Sequence, residues 1–130
     1  MADVEIIREW LAKANEDFEF ARYNLEEGRP FYSQICFHFQ QAAEKYLKAY
    51  IIARELDFRK IHELPLLLKI CLSDDPSLED LKEDCEYLSP FYIESRYPVH
   101  WPTNLSHEET EKALQAASRI RRRIKEKLNI

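Results

Sequence analysis

The chain contains one glycine, Gly28, among its 130 residues. β-Sandwiches and β-barrels need many tight turns, and glycine is the residue that most readily adopts the positive φ angles of such turns. This scarcity of glycine therefore argues against β architecture and favours helices. It also excludes a glycine-rich phosphate loop and the dinucleotide-binding fingerprint, because each of these motifs requires several glycines.

Apolar residues recur at helical spacing in the first segment of the chain. Their spacing alternates between three and four residues, which predicts an amphipathic helix of about six turns. Asp3 is the expected N-cap, and Gly28 with Pro30 is expected to end the helix. The apolar positions of this stripe are Val4, Ile7, Leu11, Ala14, Phe18, Ala21 and Leu25.

The second segment, residues 32–56, carries apolar side chains on two faces, a pattern typical of a central helix that is covered on both sides. Residues 64–72 predict a short third helix with Pro65 in its first turn. The sequence as a whole predicts an all-α fold, an antiparallel up-and-down helical bundle of four main helices plus one short helix. We interpret residues 1–130 as a single domain, because the length fits one domain and no linker interrupts the pattern.

Two capping signals organise the last third of the chain. Ser77 with Asp80 resembles a capping box at the start of a fourth helix, and Ser106 with Glu109 forms one at the start of the last helix. Between these helices, residues 93–105 lose the helical period, and two prolines disfavour α geometry at the residues before them. We predict a loop there.

The charge distribution allows two interpretations of the C-terminus. The net charge is −5, so the surface as a whole does not attract nucleic acid, yet residues 119–127 hold six basic side chains against one acid. Such a basic stripe suits the negative end of a solvated C-terminal helix. The alternative is an RNA-binding surface, whose affinity would depend strongly on salt.

The cysteines and the apolar runs bear on compartment and cofactors. Cys36, Cys71 and Cys85 are an odd number without metal-ligand spacing, so we expect buried free thiols in a reducing compartment. The densest apolar run, residues 64–72, is too short to cross a bilayer. We therefore expect a cytoplasmic protein that has no membrane association, no metal and no cofactor.

The predicted loop contains side chains that suit RNA chemistry. Arg96 can hold a phosphate with a planar fork of donors, and His100 titrates near neutrality and can move a proton. Tyr97 or Trp101 can stack on a base. Together these residues predict metal-independent cleavage of RNA, with Arg96 and His100 as the catalytic pair. The alternative is that the aromatic side chains are buried at a subunit interface and Arg96 pairs with an acid such as Glu94.

A second group of polar residues lies in the second segment. Gln41, Glu44, Lys45 and Lys48 are spaced so that they share one face of a helix. They are candidates for a cationic face that binds a nucleotide phosphate, with Gln41, Lys45 and Lys48 as the binding residues. The alternative is a polar helix face that is held by a Gln41–Lys45 contact and a Glu44–Lys48 ion pair.

Three stretches of the chain resemble the HEPN (higher eukaryote and prokaryote nucleotide-binding) family. They are residues 37–49, which contain the run Gln-Gln-Ala-Ala-Glu-Lys, the run His62-Glu63-Leu64 with the leucines that follow it, and residues 92–98, which end in Arg-Tyr-Pro. The first stretch is the most specific of the three, and the resemblance extends over nearly the whole chain.

The resemblance implies a helical bundle that dimerises, with the Arg96 loop near the dimer cleft. Many HEPN proteins are encoded beside a minimal nucleotidyltransferase as a toxin–antitoxin pair, and some are metal-independent ribonucleases whose Arg and His are separated by four to six residues. Here three residues separate Arg96 from His100. We expect a homodimer that binds nucleotide or RNA and partners a separate nucleotidyltransferase. The alternative is a non-catalytic interaction module that only dimerises or scaffolds a partner.

Overall fold

The computed structural model describes residues 2–94 and 105–130. Within these ranges every regular element is a helix, so the predicted fold class, an antiparallel helical bundle, is confirmed. The elements in chain order are α1 (Val4–Glu26), α2 (Tyr32–Ala53), α3 (Leu64–Leu72), a 3₁₀ helix (Pro76–Leu81), α4 (Lys82–Leu88), α5 (Phe91–Glu94) and α6 (His107–Leu128).

The first helix begins and ends as its sequence predicts. The Asp3 carboxylate accepts a hydrogen bond from the Glu5 amide at 2.9 Å, and this bond satisfies one of the free donors of the first turn. Gly28 follows the last turn with φ +73°, a conformation that glycine adopts without steric cost. The predicted apolar stripe is buried from Ile7 to Leu25, whereas Val4 at its start is exposed.

Helix α2 lies at the centre of the bundle, as its two apolar faces predict. It packs against α1, α3, α4, α5 and α6, and thirteen of its residues are buried. It ends at Ala53, earlier than the predicted Leu56, because Glu55 adopts a left-handed conformation with φ +56°. The Leu56 amide then donates back to the Ile51 carbonyl at 2.9 Å, which closes the helix end.

The predicted start of the fourth helix is wrong. Asp75, and not Ser77, is the N-cap, because its carboxylate accepts from both the amide and the hydroxyl of Ser77. The first turn that follows is a 3₁₀ helix, and α4 begins only at Lys82. Helix α4 ends at Leu88, since Pro90 lacks the amide hydrogen that an uninterrupted helix needs. The short helix α5 starts after this proline.

The start of the last helix is confirmed. The Ser106 hydroxyl accepts from the Glu109 amide at 3.0 Å, and the Glu109 carboxylate accepts from the Ser106 amide at 3.1 Å. The three cysteines are free and buried, and burial raises the pKa of the Cys36 thiol to about 11 and that of Cys71 to about 12. In the described ranges, no helix combines the length and the apolar character needed to cross a membrane.

Candidate functional site

The predicted site residues fall into two groups. Arg96, Tyr97, His100 and Trp101 lie outside the described residues, whereas Gln41, Lys45 and Lys48 lie on α2. The described residues of interest lie on one side of α2, which we call the polar face of α2. Its members are His38, Gln41, Glu44, Lys45 and Lys48.

Two hydrogen-bonded networks occupy the two edges of the polar face. The edge toward α1 holds the Asp17 network, and the edge toward the segment between α2 and α3 holds the Glu44 network. The Asp17 network consists of Asp17, His38 and Lys45. The Glu44 network consists of Glu44, Gln40, Lys48 and His62.

Three donors converge on the carboxylate of the Glu44 network. Lys48 Nζ lies 2.9 Å from Glu44 Oε2, Gln40 Nε2 donates to Glu44 Oε1 at 3.2 Å, and His62 Nδ1 lies 3.1 Å from the same oxygen. The side chains of Glu44 and Lys48 are only 7% exposed. A buried charge of this kind is tolerated because the carboxylate is paired with an ammonium and accepts further hydrogen bonds.

His62 connects the buried Glu44 network to the surface, and its side chain remains 44% exposed. Its ring stacks on Tyr92 of α5, with centroids 4.0 Å apart and planes 12° apart. Its backbone is held as well, since Gln40 Nε2 donates to the His62 carbonyl at 3.2 Å and the His62 amide donates to Glu63. The imidazole is therefore fixed in both position and orientation.

The carboxylate and the lysine of the Asp17 network are less deeply buried than those of the Glu44 network. Asp17 accepts from His38 Nδ1 at 3.0 Å and from Lys45 Nζ. Burial by itself raises the pKa of Asp17, but the hydrogen bonds from His38 and Lys45 outweigh it and hold the pKa below its ordinary value. The His38 ring contacts the rings of Phe20 and Phe37.

The placement of the α2 cations limits what they can bind. Lys48 is buried against Glu44, in the ion pair that the alternative interpretation expects, while Gln41 donates to Gln40 at 2.8 Å. Lys45 bonds to Asp17 but also lines an open depression of about 450 Å³ beside Trp10 of α1. Of the two lysines, Lys45 is therefore the one that faces a space large enough for a ligand.

Sequence reasoning missed the pairing of His62 with Glu44. The two residues are 18 positions apart in the chain and meet only because residues 54–63 return along α2. The available signal was a carboxylate on the central helix together with a histidine directly before α3. Neither feature by itself predicts a contact.

The C-terminal basic stripe is largely paired within the protein. Arg119 binds Asp84 through two nitrogens, and Arg121 lies 3.2 Å from Glu19 of α1. Two further pairs with other elements connect Arg123 with Asp80 and Lys127 with Asp75. These contacts fasten α6 to its neighbours, which favours the structural interpretation of the stripe over an RNA-binding surface.

Comparison with known proteins identifies relatives of the chain. The family model for the HEPN domain matches residues 7–128. The crystal structure of a Thermus thermophilus protein is similar, with 33% identity, a TM-score of 0.83, and coverage of 93% of this chain and 97% of that chain. An archaeal HEPN homologue has 27% identity, a TM-score of 0.75 and coverage of 93% and 96%. A HEPN domain protein of Thermotoga maritima has 29% identity, a TM-score of 0.73 and coverage of 93% and 98%. No curated protein matches the chain at a significant level.

Proposed function

The chain belongs to the HEPN domain family, and from this premise we propose that it is a homodimer that binds RNA or a nucleotide. One observation supports the proposal above the others. The exposed His62 ring stacks on Tyr92, and Tyr92 belongs to the short helix that leads directly into the segment of Arg96. A flat aromatic pair that is followed in the chain by an arginine is a combination that suits a base and its phosphate.

Each proposed binding residue has a separate part in this site. Arg96 holds a phosphate, and Tyr97 or Trp101 stacks on a base. Lys45 contributes positive charge at the rim of the polar face, where its ammonium is still partly exposed. Lys48 acts indirectly, because its charge neutralises Glu44 inside the protein.

The same proposal extends to catalysis and to a partner. Arg96 and His100 are the pair that would cleave RNA without a metal ion, with the arginine stabilising the charge that develops on the phosphoryl group. In the toxin–antitoxin arrangement that many HEPN proteins share, the partner is a separate minimal nucleotidyltransferase. A gene adjacent to this one that encodes such an enzyme, together with co-purification of the two products, would support this part of the proposal.

The binding proposal is tested with the variant Arg96→Ala and a fluorescent single-stranded RNA oligonucleotide. We expect its Kd to rise by about tenfold or more, because a charge-assisted bond to phosphate is lost. Arg8→Ala is the matched control, since Arg8 is an exposed arginine near the start of α1 that pairs with Glu5. Equal affinity for Arg96→Ala, Arg8→Ala and the unaltered protein would contradict the proposal.

A non-catalytic interaction module is the second candidate function. The observation that favours it is a pair of aromatic side chains one turn apart on α1, Phe20 and Tyr23, each more than half exposed. Exposed apolar patches mark surfaces that bind other proteins. The double variant Arg96→Ala/His100→Ala separates the two functions. Loss of RNA binding with an intact dimer, measured by light scattering, supports the RNA site, whereas loss of the dimer supports the module.

A further inference from the structure

The protonation of His62 follows from its neighbours. Glu44 pairs with the Lys48 ammonium, and an ionised carboxylate can only accept hydrogen bonds. The nitrogen that faces it, His62 Nδ1, must therefore carry a proton. In the neutral imidazole the free lone pair is then on Nε2, which lies on the opposite side of the ring from Glu44.

This arrangement meets the requirements for transfer of a proton. The carboxylate fixes the tautomer and stabilises the imidazolium that forms when Nε2 takes up a proton. Stacking on Tyr92 and the bond from Gln40 to the backbone carbonyl hold the ring in place before a substrate arrives. The groups facing the imidazole are Glu44 with its partner Lys48 on α2, Glu63 beside its backbone amide, and Tyr92 on α5.

We propose that His62 is a further proton-transfer residue for RNA cleavage at this site, in addition to His100, and that Glu44 is its positioning residue, an inference that rests on the proposed function. His62 Nε2 removes the proton of a ribose 2′-hydroxyl, and the 2′-oxygen attacks the adjacent phosphorus. A bond forms between the 2′-oxygen and phosphorus while the bond from phosphorus to the 5′-oxygen breaks. The imidazolium or water returns a proton to the leaving 5′-oxygen. The products are a 2′,3′-cyclic phosphate and a 5′-hydroxyl, with no oxidant or metal consumed.

The test uses the full chain, a single-stranded RNA oligonucleotide for cleavage and its 2′-O-methyl form for binding. We expect His62→Asn to bind the 2′-O-methyl RNA no more than about tenfold more weakly, the value of one aromatic contact, and to cleave saturating RNA at least about 100-fold more slowly. Asparagine can still donate to Glu44, so the fold is retained. His38→Asn is the matched control, because His38 also has its Nδ1 on a carboxylate, and it should cleave at the rate of the unaltered protein.

The role of Glu44 is tested by how its replacement divides between kcat and KM. The double variant Glu44→Gln/Lys48→Met removes both buried charges together, so neither is left without a partner. We expect kcat to fall by about tenfold with KM unchanged, because the imidazole loses the carboxylate that fixes its tautomer while the contacts to RNA remain. A rise in KM or a lower free energy of unfolding without a fall in kcat would show a merely structural role for Glu44 and would overturn its assignment.

The outcomes separate this inference from the proposed function. Cleavage by His62→Asn at the rate of the unaltered protein would overturn the role of His62 while RNA binding remains supported. Binding of RNA by the unaltered protein without any cleavage would do the same. If the unaltered protein binds no RNA, both the proposed function and the inference fail.

Discussion

The Asp17 network and the Glu44 network contain the same three groups, a carboxylate, a lysine and a histidine, on opposite edges of one helix face. They differ in how solvent exposure is distributed among these three groups. In the Glu44 network the ion pair is sealed inside the protein and the histidine reaches the surface. In the Asp17 network the side-chain exposures are closer together, 15% for Asp17 and 29% for His38, and aromatic rings cover the histidine.

The comparison teaches that residue composition alone does not distinguish a site from a structural network. A sealed ion pair behind an exposed imidazole holds a reactive group in a fixed orientation, which suits chemistry on a ligand. A carboxylate that is 15% exposed and joins two helices suits the attachment of α1 to α2. The two pairs also differ in energy, because breaking the more deeply buried pair leaves an uncompensated charge.

The largest expected difference between the networks is in stability. Lys48→Met should lower the free energy of unfolding by about 3–5 kcal/mol, since Glu44 is then buried without its countercharge. The matched change Lys45→Met should cost about 1 kcal/mol or less, because Lys45 and Asp17 are more exposed. Urea unfolding of both variants measures the difference. Equal decreases in the free energy of unfolding would contradict the larger stabilisation that we assign to the Glu44–Lys48 pair.

The next largest effect is on the stability of the protein at low pH. The pKa of Asp17 is lowered in the folded protein, so its contribution to stability is present above the ordinary carboxyl pKa and is lost as pH falls through the folded value. Asp17→Asn should therefore be less stable than the unaltered protein at neutral pH, by about 1–3 kcal/mol. The difference in the free energy of unfolding between Asp17→Asn and the unaltered protein should disappear in strong acid. A gap that stays constant from neutral pH into strong acid would contradict the assignment.

The smallest effect concerns the rings beside the two histidines. Tyr92→Leu removes the ring on which His62 stacks and should weaken RNA binding by about threefold to tenfold, the value of one aromatic contact. Phe20→Leu removes the ring beside His38 and should leave RNA binding unchanged. Fluorescence anisotropy compares the two variants. If Phe20→Leu weakens binding more than Tyr92→Leu, the Asp17 edge is the side that faces the ligand.

Much of the fold could be predicted because it depends on local patterns. The alternating apolar spacing gave α1, the two apolar faces gave the central position of α2, and the capping box at Ser106 gave the start of α6. The error at Ser77 has a local cause too. Asp75 lies just before Pro76 and its carboxylate accepts from the amide and the hydroxyl of Ser77, whereas Asp80 binds Arg123 of α6.

The candidate site could be predicted only in part. Gln41, Glu44 and Lys48 share a helix face by their spacing, and that spacing also gives the Glu44–Lys48 pair. The spacing does not predict that residues 54–63 cover this face, because the path of a connecting segment depends on the packing of the whole bundle. For the same reason, neither the stacking of His62 on Tyr92 nor its bond to Glu44 follows from sequence spacing.

The central claim is that His62 at the Glu44 edge of α2, and not His38 at the Asp17 edge, is the histidine that contacts the ligand. The most direct measurement follows the imidazole resonances of His62 and His38 by NMR while single-stranded 2′-O-methyl RNA is added. The account predicts that the His62 resonances shift and saturate while those of His38 stay in place. A shift of His38 alone, or no shift of either histidine while RNA binds, would contradict it.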